Sequence, residues 1–513
     1  MLVVAAATLG SRLLGLLRDV LIFALLGAGA LNSAFLIAFT LPNLFRRLLG
    51  EGALTAAFVP VLTEASERDG RSGGFAFVNK VITRLSALLG ILVLALVGLY
   101  ALVAALPLES ERWQLGVRMG PVLAPYLAFV CLAAVLGAAL NVLGRFSLAA
   151  LSAVWLNLSM IVALGGLGYW VTDTPTALAG WLCGGVLVGG VIQVLLPAIA
   201  LIRHGWRPAI DRRGSDRLSE LHRLFLPGLL GAGIVQINIA VSRMLAFAVD
   251  EAAVAQLYLA NRLVELPMGL FAIAITTVAF PRLARFQAQG DVEGLRTAFG
   301  EGVRLILLLT LPAALGLLLL REPILRLLFE WGRFEASDVT ETARLLAVFA
   351  LTVPLYSLTA YTTRVFHALK DTRFPVRAAA VAFGVNTALS LALMGPLGAL
   401  GLALANLGSV LLQTVMLGWG LRTRAAGLKG AWEWATLAPL VIASAVLGFA
   451  VWGGWAFLGT AIDAPKVAAL AAVAGLIPLA ALLYFGTLLG ISKSARASLR
   501  SLRRPSPADS PQS

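Results

Sequence analysis

Residues 11–49 read SRLLGLLRDVLIFALLGAGALNSAFLIAFTLPNLFRRLL. Two apolar runs meet at Gly27-Ala28-Gly29, each close to the roughly 20 residues that a helix needs to cross the hydrocarbon core of a bilayer. Inside them stand Arg12, Arg18, Asp19, Arg46 and Arg47. The stretch therefore poses one question twice: why an apolar helix carries fixed charge, and what receives it. An ionisable side chain in a membrane helix is costly and marks a functional site by default.

The same pattern of apolar runs extends along the chain. Of 513 residues, 59% are hydrophobic and 13% charged. A soluble globule of that composition lacks the polar residues for its shell, and disorder or a collagen-like chain is equally excluded. Two cysteines, Cys131 and Cys183, both in apolar runs, give no disulfide framework or thiolate metal site. His204, His222 and His367 lie too far apart in sequence for metal-ligand spacing. The class left is an all-α polytopic membrane protein.

Fourteen spans are expected, at about 2–26, 33–63, 82–106, 116–142, 148–170, 176–202, 222–249, 252–281, 298–320, 338–364, 375–395, 399–421, 433–458 and 466–490. Pro42 and Pro267 fall inside the second and eighth and are expected to interrupt their hydrogen-bond ladders. The net charge of +14 would suggest nucleic acid in a soluble protein. Here its distribution is topological. With the N-terminus inside, inner loops and tail hold 26 Lys and Arg and outer loops 6. That asymmetry places both termini in the cytoplasm, with no nucleic-acid role. The uncharged first eleven residues offer no basic signal-peptide region, so the first span is kept. Three arginines at 321–337 run against the pattern. That loop reads as an interfacial amphipathic segment, with Ile324, Leu327, Leu328 and Trp331 at helical spacing.

The chain also repeats. Ser11-Arg12 matches Ser242-Arg243. The Ala38–Pro60 stretch, with Pro42 inside it, matches Ala260–Pro281 with Pro267. Arg145-Phe146 followed by Asn157 matches Arg373-Phe374 followed by Asn386. Each offset covers six spans, an even number, so the copies share one orientation, an arrangement of transporters. The expected organisation is an N-terminal lobe at 1–203, a cytoplasmic linker at 204–221 and a C-terminal lobe at 222–424. A helix pair follows at 425–490 and a basic cytoplasmic tail at 491–513. The two pseudo-symmetric six-helix lobes would enclose a central cavity.

Depth can be counted at about 1.5 Å per residue. Arg12, Arg18, Arg46 and Arg262 then fall about 15 to 24 Å into their spans. Spacing allows pairs: Arg12 with Asp19, Arg47 with Glu51, and Arg262 with Glu265. Neutralised pairs that only hold helices together are one reading. The other follows from the imbalance of five arginines against three acids. Arg is permanently charged and grips phosphate with two parallel N–H donors, so a positive site favours a phosphate-bearing substrate. Arg243 is a lone cation that either snorkels or contacts substrate. There is no Walker-type loop, so no ATPase motif, and no catalytic triad or carboxylate pair. The protein reads as a transporter, not an enzyme.

Residues 11–61 closely resemble the MurJ/MviN family of lipid II flippases. So do Ala260-Asn261-Arg262-Leu263-Val264-Glu265-Leu266-Pro267, Leu328-Phe329-Glu330-Trp331-Gly332-Arg333-Phe334 and Ala368-Leu369-Lys370-Asp371-Thr372-Arg373. The resemblance implies fourteen helices in the two-lobed fold of the multidrug/oligosaccharidyl-lipid/polysaccharide exporter superfamily, with a C-terminal pair forming a lipid-binding groove. It implies alternating access in the bacterial inner membrane, with lipid II as substrate and membrane lipids and peptidoglycan-synthesis proteins as partners. Arg18, Arg46 and Arg262 look like the family's cavity arginines, with Arg12 and Arg47 beside them. Asp19, Glu51, Glu265 and Ser11 look like gating or pairing residues. Ser33, Asn261, Ser242 and Ser390 depart from the acids that many or some relatives carry, which leaves the coupling ion open. No cofactor is implied; membrane potential or an ion gradient would drive transport. The alternatives are an exporter of another undecaprenyl-diphosphate-linked glycan, a cationic-drug antiporter, which would want acids, and a membrane enzyme or scaffold.

Overall fold

The computed structural model describes residues 2–50, 53–424, 437–461 and 465–492. Among them are helices and their connections, and no strand. Nine helices of the described residues are long and apolar enough to cross a membrane. α1 (Leu2–Leu26) is not one of them, because Arg12, Arg18 and Asp19 interrupt its apolar run.

The first compact unit comprises residues 1–255 together with Trp331–Glu335. α1 ends at Gly27, whose φ of +72° turns the chain into α2 (Ala30–Phe45). Pro42 lies in the last turn of α2, and the helix then widens into a π-helical turn at Arg46–Gly50. α3 (Ala53–Arg68), α4 (Gly70–Ala104), α5 (Glu111–Val142) and α6 (Phe146–Ile161) follow. A second π-helical turn at Val162–Gly168 leads into the short α7 (Tyr169–Val171), then α8 (Pro175–Arg203) and α9 (Asp216–Val249). α5 is the most enclosed helix and packs against α2, α4 and α8. Its Tyr126 is fully buried and stacks on Phe39, 5.6 Å between ring centres.

Sequence explains how closely α6 approaches α8. Gly185 and Gly189 occupy one face of α8, one turn apart. A Cβ at Gly185 would sit 3.0 Å from the Met160 Cα, and one at Gly189 3.1 Å from the Leu156 Cα. Small residues at such spacing let helix backbones meet without side chains between them. α6 also packs against α1, so this seam sets where Asn157 and Met160 stand.

α9 is counted with the second repeat by sequence, yet it packs with α3 in the first unit. At its base Arg217 bridges Asp69, 2.5 Å. The Arg217 hydrogen bond is the main reason that the Asp69 carboxyl is held below its ordinary range. The bridge is therefore present above the ordinary carboxylate pKa and is lost only as pH falls through the lowered value.

The segment Trp331–Glu335 joins this unit by packing on the end of α1. Arg333 N–H donates to the Ala24 carbonyl at 2.8 Å, and Phe334 meets Phe23 edge to face at 5.5 Å. Gly332 has φ +58°, and a Cβ there would collide with the Ala24 carbonyl.

The second unit comprises residues 256–330 and 336–513. Most of α10 (Ala253–Gln289) belongs to it, followed by α11 (Val292–Leu319), α12 (Arg321–Phe329), α13 (Ala336–Ala368) and α14 (Arg373–Arg424). α10 continues through Pro267 as one helix. A proline removes one donor and one backbone bond, and the flanking turns carry the helix across. The expected amphipathic segment falls on α12, where Leu325 and Phe329 are buried within the protein and Ile324, Leu327 and Leu328 are half-buried. α14 changes direction at Gly398 (φ 56°), where two spans were expected to meet. α15 (Ala438–Ala461) lies against α11, and α17 (Ile477–Ile491) lies against α15. α16 (Pro465–Ala471) precedes α17 through a π-helical turn at Ala472–Leu476 and packs on α12. Tyr484 of α17 donates to the Leu308 carbonyl of α11 at 3.0 Å. The basic tail beyond Ser492 lies outside the described residues.

The α6–α8 seam makes a matched test possible. Gly184 has nothing within 4 Å of a built Cβ. Gly189→Val should destabilise the protein by about 1–3 kcal/mol through overpacking, read as a lower thermal midpoint in detergent. Gly184→Val on the same helix should leave the midpoint within about 0.5 kcal/mol equivalents.

Candidate substrate site: arginines inside apolar helices

On α1, the guanidinium of Arg18 folds onto its neighbour. Nε and Nη2 both donate to Asp19 Oδ1, at 3.0 and 2.6 Å. The Asp19 side chain is 1% exposed and that of Arg18 is 13% exposed. The expected pairing of Asp19 with Arg12 is not the one formed. Arg18 reaches the carboxylate with two donors from the adjacent position, which a residue two turns away has no geometric advantage over. Among the described residues Arg12 and Arg47, both half-buried, have no hydrogen-bond or ion-pair partner.

The third anchor of Arg18 comes from α6. Nη1 donates to Asn157 Oδ1 at 3.0 Å, and Asn157 Nδ2 donates to the Ser11 carbonyl at 3.1 Å. The Asn157 side chain, buried at 6% exposure, thus binds α1 at two points two turns apart. Ser11 enters the site through its backbone oxygen. In the sequence the one signal for Asn157 is its repeat match with Asn386. Asn386 is also buried, at 2% exposure.

Arg46 opens the π-helical turn after α2, and its Nε donates to Asn43 Oδ1 at 3.0 Å. Such widened turns re-aim side chains and recur at functional sites. Arg18 and Arg46 both belong to the first unit, and Arg262 to the second. Arg243 of α9 donates to Thr40 Oγ1 at 2.9 Å, so it is anchored to α2 instead of snorkelling alone. Glu51 lies outside the described residues.

In the second unit, Arg262 of α10 pairs with Glu265 as expected, 3.3 Å apart, with side chains 22% and 41% exposed. Asn261 donates to the other oxygen of that carboxylate at 3.1 Å. The Asn261 amide thus serves Glu265. Among the described residues no three His, Cys, Asp or Glu side chains gather as a metal-ligand set.

Comparison with known proteins settles the family. The family model described as "Lipid II flippase MurJ" matches residues 22–462. A probable lipid II flippase MurJ of Rhizobium tropici is 35% identical over 456 residues, covering 87% of this chain and 84% of the relative. This chain belongs to the MurJ lipid II flippase family. A MurJ relative from Rhizobium meliloti (strain 1021) is 33% identical over 518 residues, covering 99% of this chain and 96% of its own. The fold agrees. A solved lipid II flippase MurJ in an inward closed conformation matches with a TM-score of 0.78 at 23% identity, over 98% of this chain and all of that one. An inward-facing multidrug resistance MATE transporter of the MOP superfamily matches with a TM-score of 0.67 at 17% identity, over 82% of this chain and 95% of its own. The chain thus joins MurJ family membership to a fold like that of these transporters, and its described residues form helices without a strand.

Asn157 is a positioning residue for Arg18. Asn157→Ala should lower transport about tenfold or more, since small displacements of a binding group are costly. It should cost about 1–3 kcal/mol of stability for the unpaired Ser11 carbonyl and Arg18 donor. Asn157→Asp keeps an acceptor for Arg18 and should retain more transport than Asn157→Ala, measured at equal membrane abundance.

Proposed function

We propose that the protein flips lipid II, the diphosphate-linked peptidoglycan precursor, from the inner to the outer leaflet of the bacterial cytoplasmic membrane. Membership of the MurJ family over most of the chain is the observation that carries this reading. The chemistry of the spans agrees with it. A diphosphate cannot cross hydrocarbon bare, while the polyprenyl tail can stay in lipid as the head group moves. Arg18, Arg46 and Arg262 would bind the diphosphate, with Arg12 and Arg47 adding positive potential. Asp19, Glu51 and Glu265 would hold those guanidinium groups in place or exchange with the substrate as the site opens and closes.

The architecture that serves this function is fourteen crossings with both termini in the cytoplasm. Two six-helix lobes related by the sequence repeat would alternate access to the site, and the C-terminal pair would offer a groove to lipid. The positive-inside balance supports that orientation. Transport would draw on membrane potential or an ion gradient, at about 2.3 kcal/mol per charge per 100 mV. Peptidoglycan-synthesis proteins would be its neighbours in the pathway. A second undecaprenyl-diphosphate-linked glycan remains the competing substrate, since the arginines would recognise its diphosphate equally.

Expression in bacteria depleted of their own lipid II flippase tests the substrate, with lipid II exposed on the outer leaflet as the readout. Exposure should be restored by the intact chain and lost in Arg18→Ala, Arg46→Ala and Arg262→Ala at unchanged membrane abundance. Full exposure in all three variants would falsify the diphosphate role of these arginines.

A further inference from the structure

The segment between α8 and α9 has no regular secondary structure, yet it is fastened along α4. Trp206, 5% exposed, donates through Nε1 to Asn79 Oδ1 at 2.8 Å, and Asn79 Nδ2 donates to the Arg207 carbonyl at 2.9 Å. Asp211 N–H donates to Thr83 Oγ1 at 3.0 Å. Arg84 Nη2 donates to two successive carbonyls, of Arg212 at 3.2 Å and Arg213 at 3.0 Å. Residues 207 to 213 therefore climb α4 from Asn79 to Arg84.

Where they climb to is set by the helices. The lipid-facing stretch of α4 includes Leu88, Ile91 and Leu94, which are 53, 66 and 73% exposed. Arg84 lies one turn before Leu88, about 6 Å along the axis. That distance equals the depth of the polar headgroup layer on one side of a bilayer, about 5–7 Å. α8 agrees, since its exposed Ile199 and Ile202 give way at once to Arg203.

At this level the segment turns outward an unusual set of side chains. Ile210 is 82% exposed, among the most exposed large apolar residues of the described chain. Arg207, Arg212 and Arg213 flank it and are exposed. The one acid between them, Asp211, accepts the Arg213 N–H at 2.9 Å. An apolar side chain beside three cations at headgroup depth matches an interfacial anchor, whose apolar part enters the acyl boundary while its cations meet lipid phosphates.

We propose that the docked segment 206–213 is a membrane-surface anchor: Ile210 inserts into the inner-leaflet interface, and Arg207, Arg212 and Arg213 bind the phosphates of anionic phospholipids. The segment is pre-shaped by α4, so little ordering accompanies insertion. Only backbone groups of the three arginines hold it in place, so their side chains are available to lipid. The assignment to the inner leaflet rests on the proposed orientation; insertion itself does not.

The test uses full-length Ile210→Cys carrying an environment-sensitive NBD dye. Cys131 and Cys183 are buried and free, so the dye reports position 210. In vesicles containing phosphatidylglycerol the emission should be blue-shifted and shielded from an aqueous quencher. The effect should be weaker in pure phosphatidylcholine and should decline with added salt. Adding Arg207→Gln, Arg212→Gln and Arg213→Gln should reduce insertion roughly fivefold per arginine, with the thermal midpoint in detergent unchanged. Identical emission in detergent and in both lipids would overturn the anchor. An unchanged signal in the triple variant would overturn the phosphate contacts. Shielding that arises only on addition of cytosolic protein would make the face a protein-docking surface and overturn the lipid assignment.

Discussion

A guanidinium as far out of solvent as that of Arg18, 13% exposed, needs partners, because its donors cannot be left dry and its charge cannot be discharged. At Arg18 this requirement organises the helices around it. Asp19 takes two donors on the same helix, but the third goes to Asn157 of α6. α1 must therefore lie against α6. α6 can reach that place because Gly185 and Gly189 admit it closely to α8. Asn157 completes the arrangement by capturing the Ser11 carbonyl. One charge thus constrains three helices, and the price is a buried carboxylate whose desolvation is offset only while Arg18 stays in place.

Arg262 is held on different terms. Its partner Glu265 is 41% exposed and is shared with Asn261. A partly exposed ion pair of this kind contributes little stability. Asp19, at 1% exposure, is fixed. The two ion pairs therefore differ in kind: Arg18 is locked onto a buried carboxylate, and Arg262 shares a partly exposed one.

Much of this was legible in the sequence because membranes simplify the reading. The apolar run at 2–26 is α1 to the residue, and the Gly27-Ala28-Gly29 turn and the kink at Gly398 fall where the pattern breaks. The charges at 18, 19, 46, 262 and 265 identified themselves by being in the wrong solvent. What was hidden is tertiary or depends on local backbone geometry. The π-helical turn at Arg46 has no period to announce it. Spacing offered Asp19 to Arg12, while side-chain reach gave it to Arg18. The role of Asn157 requires knowing that α6 meets α1. The attachment of Trp331–Glu335 to the end of α1 joins residues about 300 positions apart.

The preference for arginine over lysine follows from the same geometry. Arg18 distributes its donors between a carboxylate and an amide on two helices, and Arg84 bridges two successive carbonyls of a docked segment. The Arg18 arrangement needs donors splayed in a plane, which a compact ammonium on a flexible stem does not provide. Inside the apolar helices the fork satisfies neighbours and holds a cation at a defined point. Arg84 holds two backbone carbonyls of the docked segment through Nη2, and the side chains of Arg207, Arg212 and Arg213 are exposed. The chain has 40 Lys and Arg residues, of which only five are Lys. Positive-inside balance alone would accept either residue. The excess of arginine is what a protein requires when its cations must also act as struts.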